Sequence, residues 1–395
     1  MFFNLNFLYD CKILLYETNS FVSSYTSILL HKIDTMRGEM KVLVGLSGGV
    51  DSTVATKLLI DSGYDVTTCT LRLLPECTKK AYKDDKTIEK AKLIAKRIGV
   101  NHVVYDCRHE FEQKVIKYFA NSYKKGQTPN PCYFCNRNIK FGLMLEKALK
   151  DGFEKIATGH YAGIKEEITN DIQIFHLVKG KDKQKDQSYF LSCLSQNQLS
   201  HSIFPLASLT KKEVKEIAYN AQLVNEEVGE SQDICFVDDG EYAEFISSIS
   251  SLKDFQQGDF IDMQGNRLEK HKGLQYYTIG QRRGLNIAMG YPVYVIKKDA
   301  KTNTVTVGER KYLECNTLVA KNINIIGKLP IGEKIKIMAK TRYRQVEKEA
   351  YLMLKNEGTA IVEFLRNDEA VATGQIVAFY KGDFCLGSGV IEETY

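Results

Sequence analysis

Apolar residues follow two different spacings between residues 41 and 190. Short runs rich in β-branched residues predict strands, the last of them ending in a turn, at 41–46, 66–74, 101–107 and 154–162. Between them, apolar residues recur every three or four positions and predict helices at 52–64, 88–99, 110–123 and 136–152. Strands that alternate with helices of this length predict an α/β domain with a Rossmann-like twisted parallel sheet.

The texture changes towards the carboxyl end. Helices are predicted at 196–201 and 210–222, and from residue 258 the chain consists of short strand candidates broken by glycine. The Lys-Gly step at 381–382 is typical of a hairpin turn. We therefore predict an α/β domain, a small central β domain and a β-barrel, at 39–238, 239–312 and 313–395. Residues 1–38 show no sustained period and are predicted to be a tail or an upstream extension.

Composition excludes several classes of protein. With 44% hydrophobic and 26% charged residues among 395, the chain is too apolar to be disordered, and no stretch suits a membrane helix. A net charge of +5 permits an anionic partner such as RNA. Ten cysteines, irregular apart from one C-x-x-C, indicate a reducing compartment. We expect a cytoplasmic protein, or a mitochondrial or plastid one if residues 1–38 are a targeting segment.

A glycine-rich string joins the first strand to the first helix. Two adjacent glycines permit a close approach of the backbone to a ligand, and the helix that follows offers free N–H groups to a phosphate. The string is Gly45, Leu46, Ser47, Gly48, Gly49, Val50, Asp51 and Ser52. No lysine follows the glycines, which disfavours the usual loop for γ-phosphate transfer. The string resembles the pyrophosphate loop of N-type ATP pyrophosphatases, and this resemblance implies ATP as a substrate and Mg²⁺ near Asp51.

Three cysteines stand in contexts that suit chemistry. Cys132 and Cys135 open a helix behind two prolines, and we expect a thiol at a helix amino end to have a lowered pKa. Cys235 follows a polar loop a hundred residues later. For an isolated C-x-x-C the possible readings are half of a zinc site, a redox pair, iron–sulfur ligands or chance, and the missing second ligand pair disfavours zinc.

Seven motifs in order resemble the tRNA-specific 2-thiouridylases, which replace O2 of the wobble uridine with sulfur. The resemblance covers residues 40–395 and implies an ATP-pyrophosphatase domain, a central β domain and a carboxy-terminal β-barrel. Its strings are GLSGGVDS at 45–52, NPCYFCNRNIKF at 130–141, ATGHYA at 157–162, KDQSYFL at 185–191, SQDICF at 231–236, YYTIGQRRGL at 276–285 and TRYR at 341–344.

The resemblance also implies a mechanism. ATP adenylates O2 of uracil, and sulfur from a cysteine persulfide then displaces AMP. Cys235 matches the persulfide carrier of the family and Cys135 its second catalytic thiol, so the two are expected to form a transient disulfide. The implied partners are tRNA, with those for Lys, Glu and Gln favoured, and a cysteine desulfurase or a sulfur-relay protein.

This chain departs from the family pattern at Cys132. Many members carry Asp there, to which acid–base work on the target base is assigned, and that role cannot simply be copied to a thiol. Cys132 also brings a third thiol beside Cys135 and Cys235. Three thiols suit an iron–sulfur cluster that holds sulfide, so cluster-assisted thiolation stands beside the persulfide route.

The remaining site residues rest on the resemblance alone. Leu71 and Gly159 are expected to contact ATP. Asn130, Pro131 and Cys132 are expected to line the pocket for the target base. The residues expected to contact tRNA are His160, Lys185, Asp186, Gln187, Arg342, Tyr343 and Gln375.

Two other classes of function remain open from the residues. One is another adenylating enzyme on the same nucleotide fold, such as a 4-thiouridine synthetase, an argininosuccinate synthase or the partner of a glutamine-dependent amidotransferase. The other is a non-catalytic RNA-binding or iron–sulfur carrier protein. The paired reactive cysteines argue against the first, and the intact glycine-rich string argues against the second.

Overall fold

The structure is a computed structural model that describes six ranges of the chain. These are residues 40–76, 81–223, 234–237, 242–248, 256–356 and 358–395. The predicted extension at 1–38 lies outside the described residues, as do positions 231–233 of the SQDICF string.

The first sheet is parallel and has five strands in the order β3-β2-β1-β4-β7. They are β1 (Lys41–Gly45), β2 (Asp65–Arg72), β3 (His102–Asp106), β4 (Lys155–Ala157) and β7 (Ser202–Ile203). Val42, Leu43 and Val44 are fully buried, because helices cover both faces of a parallel sheet. The predicted α/β domain is confirmed.

Each of the six predicted helices overlaps an observed one, and two further short helices among the described residues, at Ser188–Leu191 and Tyr242–Ser248, were not predicted. The observed helices are α1 (Val50–Asp61), α2 (Ala81–Ile98), α3 (Arg108–Phe111, continued by a π-helical part Glu112–Ile116 and by Lys117–Lys124), α4 (Pro131–Cys135, continued by a π-helical part Asn136–Leu143 and by Met144–Lys150), α5 (Ser188–Leu191), α6 (Gln196–Ser200), α7 (Lys211–Asn220) and α8 (Tyr242–Ser248). Thr210 and Glu213 form a capping box that starts α7, which satisfies backbone N–H groups at its first turn.

A hairpin that the sequence analysis did not predict follows β4. Its strands are β5 (Ala162–Thr169) and β6 (Ile172–Lys179), joined at Asn170 and Asp171, whose φ angles are 51° and 60°. Such a two-residue turn matches the twist of the flanking strands. β6 then pairs with the last strand of the chain, where Val178 and Leu177 face Phe384 and Cys385. The hairpin thus extends a sheet of the carboxy-terminal domain.

The central domain contains a four-stranded sheet in the order β10-β11-β8-β9. The strands are β8 (Gly258–Ile261), β9 (Arg267–His271), β10 (Tyr294–Asp299) and β11 (Thr304–Gly308), with a 3-10 turn at Leu274–Tyr276 between β9 and β10. Phe260, Val295 and Val305 are almost or fully buried between the sheet and this turn. The small β domain expected here is confirmed.

The carboxy-terminal domain is a closed barrel of six strands. They are β12 (Glu314–Ile325), β13 (Lys334–Lys340), β14 (Lys348–Asn356), β15 (Thr359–Glu369), β16 (Ile376–Lys381) and β17 (Phe384–Thr394). The order β12-β15-β14-β13-β16-β17 closes through pairing of β12 with β17. The hairpin predicted at the Lys-Gly step joins β16 to β17. The domain boundaries predicted after residues 38, 238 and 312 stay predictions.

Candidate active site

The glycine-rich loop between β1 and α1 is shaped by its own hydroxyl groups. The Ser47 backbone N–H donates to the Ser52 hydroxyl over 3.2 Å, and the two hydroxyl oxygens lie 3.2 Å apart. Ser52 donates in turn to the Gly49 carbonyl. Gly48 has a φ of +74°, a conformation that side chains disfavour. Residues 45–52 therefore form a preshaped turn at the amino end of a helix, where N–H groups and the helix dipole favour an anion.

Gly159 brings the segment after β4 against this loop. A Cβ at this position would lie 2.7 Å from both the Asp51 carbonyl carbon and the Ser52 nitrogen. No larger residue permits that approach without a shift of the backbone. Gly159 therefore fixes the loop from the neighbouring strand, while its expected contact with ATP stays a prediction. Leu71, the other expected ATP contact, is half-buried at the end of β2.

Asp51 is paired within the chain. Its Oδ1 accepts a hydrogen bond from the Tyr161 hydroxyl over 2.7 Å and one from the Lys211 ammonium over 2.6 Å. The Lys211 side chain is 13% exposed and that of Asp51 35%, so the pair is partly shielded from water. Lys211 is the first residue of α7. A cation therefore stands at the phosphate loop, although it comes from 160 residues further along the chain.

Helix α4 presents two of the three cysteines. The Asn130 side chain caps it by accepting from the Tyr133 N–H over 3.2 Å, and Pro131 occupies the first position. Cys132 is half-buried and Cys135 is 6% exposed. The Tyr133 hydroxyl lies 2.9 Å from the Ser388 hydroxyl in the barrel. The helix start is therefore fixed by a local cap and by the third domain together.

Cys235 is held beside α4 by its neighbour in the sequence. Cys235 is exposed, whereas Phe236 is 3% exposed and meets Phe111 and Phe119 of α3 edge-on, at 5.5 and 5.4 Å between ring centroids. The three thiols of Cys132, Cys135 and Cys235 are within electrostatic reach of one another, since a charge on one raises the pKa of another. The structure therefore brings the three predicted cysteines to one region.

The expectation of a lowered thiol pKa on α4 is wrong for this structure. Burial raises the pKa of the Cys132 and Cys135 thiols, and desolvation by the surrounding protein raises that of Cys235 to about 11, even though this residue reaches the surface. The loss of hydration penalises a thiolate more than the helix end stabilises it. All three thiols are protonated at neutral pH.

Lys140 is a cation whose charge acts on the three thiols and on His160. It is half-buried on α4, eight residues after Cys132, and its charge lowers the pKa of the Cys132, Cys135 and Cys235 thiols against the effect of burial. Desolvation, with a smaller contribution from Lys140, holds the pKa of His160 well below its usual value, so this imidazole is neutral.

His160 connects the two halves of the site. Its Nδ1 lies 2.7 Å from the Thr158 hydroxyl, and its ring centroid lies 5.8 Å from that of Phe141, the neighbour of Lys140 on α4. Gly159, which touches the phosphate loop, directly precedes it. The expected tRNA contact of His160 stays a prediction.

A metal ligand set is not assembled in the described ranges. No three of their His, Cys, Asp and Glu side chains come together in a way that could hold a metal ion. Cys132, Cys135 and Cys235 are neighbours, but their placement does not form a cluster site. The described helices also include none that is long and apolar enough to span a membrane.

Among the residues expected to contact tRNA, two shape a loop of the α/β domain. Asp186 is 6% exposed, and its carboxylate accepts from the N–H groups of Gly180 and Ser188. The Gln187 side chain accepts from the Tyr161 N–H over 3.0 Å. Both side chains therefore serve the fold, and their contact with tRNA stays a prediction, as does that of the half-buried Lys185.

The other expected tRNA contacts lie on the barrel. Arg342 is exposed. The ring centroid of Tyr343 lies 4.4 Å from that of Phe190 in the α/β domain. The Gln375 amide donates to the Thr128 and Pro129 carbonyls over 3.0 and 3.3 Å. This side of the barrel therefore adjoins the loop that leads into α4.

Three residues of this site, Lys140, Tyr161 and Lys211, carry no signal of their role in the sequence. Lys140 lies eight residues after Cys132, and Tyr161 lies 110 residues after Asp51, so neither spacing points to a shared site. Lys211 is preceded by the cap residue Thr210, which predicts a helix start and nothing about phosphate. Only the folded chain places Lys211 beside Asp51.

Three family profiles match the chain in succession. Their descriptions are tRNA methyl transferase HUP domain over residues 40–239, tRNA methyl transferase PRC-barrel domain over 245–309, and aminomethyltransferase beta-barrel domain over 315–391. Together they cover nearly all of the chain after its first 39 residues.

The chain is similar to two relatives over most of its length, and to one solved structure over part of it. The tRNA-specific 2-thiouridylase MnmA of Treponema denticola is 56% identical over 362 residues, which are 90% of this chain and 98% of that protein. The tRNA-specific 2-thiouridylase MnmA 1 of Caldanaerobacter subterraneus subsp. tengcongensis is 42% identical over 89% of this chain and 98% of its own length. The structure of the U34-tRNA thiolase NcsA from Methanococcus maripaludis with its 4Fe-4S cluster aligns with a TM-score of 0.33 at 17% identity, over 56% of this chain and 71% of that one.

Proposed function

The chain belongs to the tRNA-specific 2-thiouridylase family of sulfur-transferring enzymes, and on this premise we propose that it thiolates the wobble uridine of tRNA in two steps at the expense of ATP. In the first step O2 of uracil attacks the α-phosphorus of ATP and pyrophosphate leaves. In the second a sulfur nucleophile attacks C2 and AMP leaves. Adenylation is needed because an amide-like oxygen is a poor leaving group.

The first step uses the phosphate loop. The N–H groups at the amino end of α1 and the hydroxyls of Ser47 and Ser52 bind the phosphates, with Lys211 as the cation that the loop itself lacks. Asp51 is the residue that would hold Mg²⁺, whose charge supports the departure of pyrophosphate. Tyr161 keeps the Asp51 carboxylate oriented.

The second step uses the thiols. The terminal sulfur of a persulfide on Cys235 attacks C2, and Cys135 then attacks the Cys235 sulfur. The thiolated base leaves as its thiolate, and a Cys135–Cys235 disulfide remains for a reductant to clear. Lys140 favours each thiolate against the desolvation that burial imposes. The sulfur donor is a cysteine desulfurase or a relay protein, and a reducing cytoplasm suits the disulfide.

The observation that carries this proposal is the contact between the two halves of the site. Helix α4 bears the thiols at its start and Phe141 further along, and Phe141 packs against His160 beside the glycine that touches the phosphate loop. This contact supports the proposal that a target uridine at the start of α4 can reach both the nucleotide and the sulfur carrier.

Two variants test the proposal with unmodified tRNA as substrate. We expect Cys235→Ser to form no 2-thiouridine while it still releases pyrophosphate, because a hydroxyl cannot carry sulfane sulfur. We expect Asp51→Asn to lose both signals, and Asp61→Asn, an exposed carboxylate at the far end of α1, to keep both. Thiolation by Cys235→Ser, or pyrophosphate release that does not depend on tRNA, would refute the two-step scheme.

The iron–sulfur route has a separate test. The described residues do not fit a cluster, so no step is assigned to one. Enzyme purified without oxygen is analysed for iron and acid-labile sulfide and assayed in parallel. We expect full activity without iron. Activity that rises with the iron content would show that a cluster, and not a persulfide, delivers the sulfur.

A further inference from the structure

The segment that leads into α4 is the place where all three domains meet. We define the target-base loop as residues 126–131, which end in Asn130 and Pro131 at the start of that helix. From the barrel, the Thr373 carbonyl accepts from the Thr128 N–H over 2.8 Å, and the Gln375 amide donates to the Thr128 and Pro129 carbonyls. The barrel thus binds the backbone of this loop at three points.

The central domain reaches the same loop through one side chain. Lys298, on β10, places its Nζ 2.9 Å from the Tyr277 carbonyl of its own domain, 3.5 Å from the Gln127 carbonyl and 3.5 Å from the Thr128 hydroxyl. The ammonium also lies 5.6 Å from the ring centroid of Tyr123 on α3. These partners are oxygens and a ring face, and none of them is a carboxylate.

Packing leaves this loop little room to adopt another shape. A Cβ on Gly374 of the barrel would lie 2.8 Å from that of Gln127, and one on Gly126 would lie 3.6 Å from that of Lys298. Both glycines have positive φ angles, of 87° and 76°. The loop is therefore enclosed on one side by the barrel and on the other by Lys298. Burial of this ammonium lowers the pKa of Lys298 to about 7, so the contact carries a desolvation cost that a merely solvated lysine avoids.

We propose that Lys298 is a positioning residue which, opposite Gln375, holds the target-base loop in the form that presents Asn130 and Cys132 to the uridine. The role in catalysis rests on the proposed function, while the clamp itself does not. Through these contacts the two β domains set the geometry of a pocket whose walls belong to the catalytic domain.

The test compares Lys298→Met with Lys297→Met in the full-length protein, since Lys297 is the exposed neighbour on the same strand. Hydrogen exchange is followed in peptides that span residues 124–135. We expect amide exchange at Gly126, Gln127 and Thr128 to accelerate about tenfold in Lys298→Met alone, the size expected when the net contribution of its hydrogen bonds to the loop is lost. Exchange in β1 and β15 should stay as in the parent.

Steady-state kinetics then test the positioning role. We expect kcat for tRNA thiolation to fall about tenfold in Lys298→Met, with KM for tRNA within about twofold, and Lys298→Arg to recover part of the loss. Gln375→Leu tests the opposite side of the loop and is expected to accelerate exchange in the same peptides.

Three outcomes would overturn the proposal. Equal exchange in Lys298→Met and Lys297→Met refutes the clamp. Faster loop exchange with an unchanged kcat refutes the positioning role. Loss of protection throughout Lys298→Met, with Lys298→Arg and Gln375→Leu indistinguishable from the parent at the loop, assigns Lys298 to general stability. If the parent itself thiolates no tRNA, the proposed function fails, and the exchange result still decides the clamp.

Discussion

The phosphate loop and the cysteine region contrast in how the fold treats their reactive groups. At the loop, polar groups are matched: the two serine hydroxyls lie together, and Asp51 has both a cation and a hydroxyl as partners. At the cysteines, the dominant effect is desolvation, which keeps the thiols protonated, and Lys140 opposes it only in part. In the first region the polar groups are paired with one another, and in the second the thiols are protonated at neutral pH.

Under the proposed function, this difference means that the nucleotide loop is preorganised whereas the thiols are not yet activated. A thiolate that formed at neutral pH without tRNA would be open to oxidation or to attack on the wrong electrophile. A protonated thiol avoids oxidation and unwanted attack. Its ionisation must then be favoured by a change that occurs when the enzyme binds its substrates. We expect substrate or sulfur donor to supply that change, with Lys140 as the charge already present.

The pH dependence of alkylation is the sharpest way to break the contrast. Since the pKa of the Cys235 thiol is raised to about 11, its thiolate fraction is small at neutral pH and grows tenfold per pH unit. We expect iodoacetamide labelling of Cys235 to accelerate about a hundredfold from pH 7 to pH 9, measured by mass spectrometry of its peptide. A plateau below pH 8 would mean that this thiol is already activated.

Removal of the cation at the phosphate loop is expected to have the next largest effect. Lys211→Met loses a charge-assisted contact worth about 2 kcal/mol, so we expect the Kd for ATP to rise about 30-fold. Equilibrium binding of ATP measures it. Lys212→Met is the matched control, because that neighbouring side chain is 88% exposed. An equal Kd for ATP in the two variants would show that Lys211 does not contribute to ATP binding.

Lys140→Met examines the cysteine side of the contrast. Loss of a cation that acts on a thiolate through partly shielded protein is worth about 1 kcal/mol, so labelling of Cys235 at pH 8 should slow about fivefold. Lys150→Met, at the exposed end of the same helix, should label like the parent. An unchanged rate in Lys140→Met would show that its charge does not reach the thiol.

Tyr161→Phe is expected to have the smallest effect. It removes one hydrogen bond to Asp51, so we expect the free energy of unfolding to fall by about 1 kcal/mol in urea titrations. Tyr219→Phe on the exposed face of α7 serves as the reference, since its side chain is 67% exposed. A larger loss in the reference than in Tyr161→Phe would mean that the Asp51 pairing contributes nothing to the fold.

Local patterns predicted most of the first sheet and its helices, because each of those elements carries its own periodicity. The hairpin of β5 and β6 escaped because most of β5 is exposed or half-buried, and because β6 gains its second partner from β17, whose residues Phe384 and Cys385 are distant in the sequence. The Asn170–Asp171 pair is a local signal for this hairpin, because Asn and Asp tolerate the positive φ angles that its turn requires.

The site was predictable only where a string carries its own chemistry. The loop at 45–52 and the cysteines at 132, 135 and 235 have such strings, and the structure brings the cysteines together. The thiol pKa was predicted in the wrong direction, because a helix end is visible in sequence whereas desolvation depends on the packing of Phe236 and α3. Lys211 and Lys298 contact residues that are 160 and 171 positions away in the sequence, and no local pattern predicts such contacts.

The strand addition of β6 to β17 has a consequence for how the protein comes apart. The hairpin leaves the catalytic domain and pairs with β17 of the closed barrel, so backbone hydrogen bonds join the two domains. Excision of the barrel would therefore leave β6 with an unpaired strand edge, which invites aggregation. The catalytic half cannot be expressed alone without that liability.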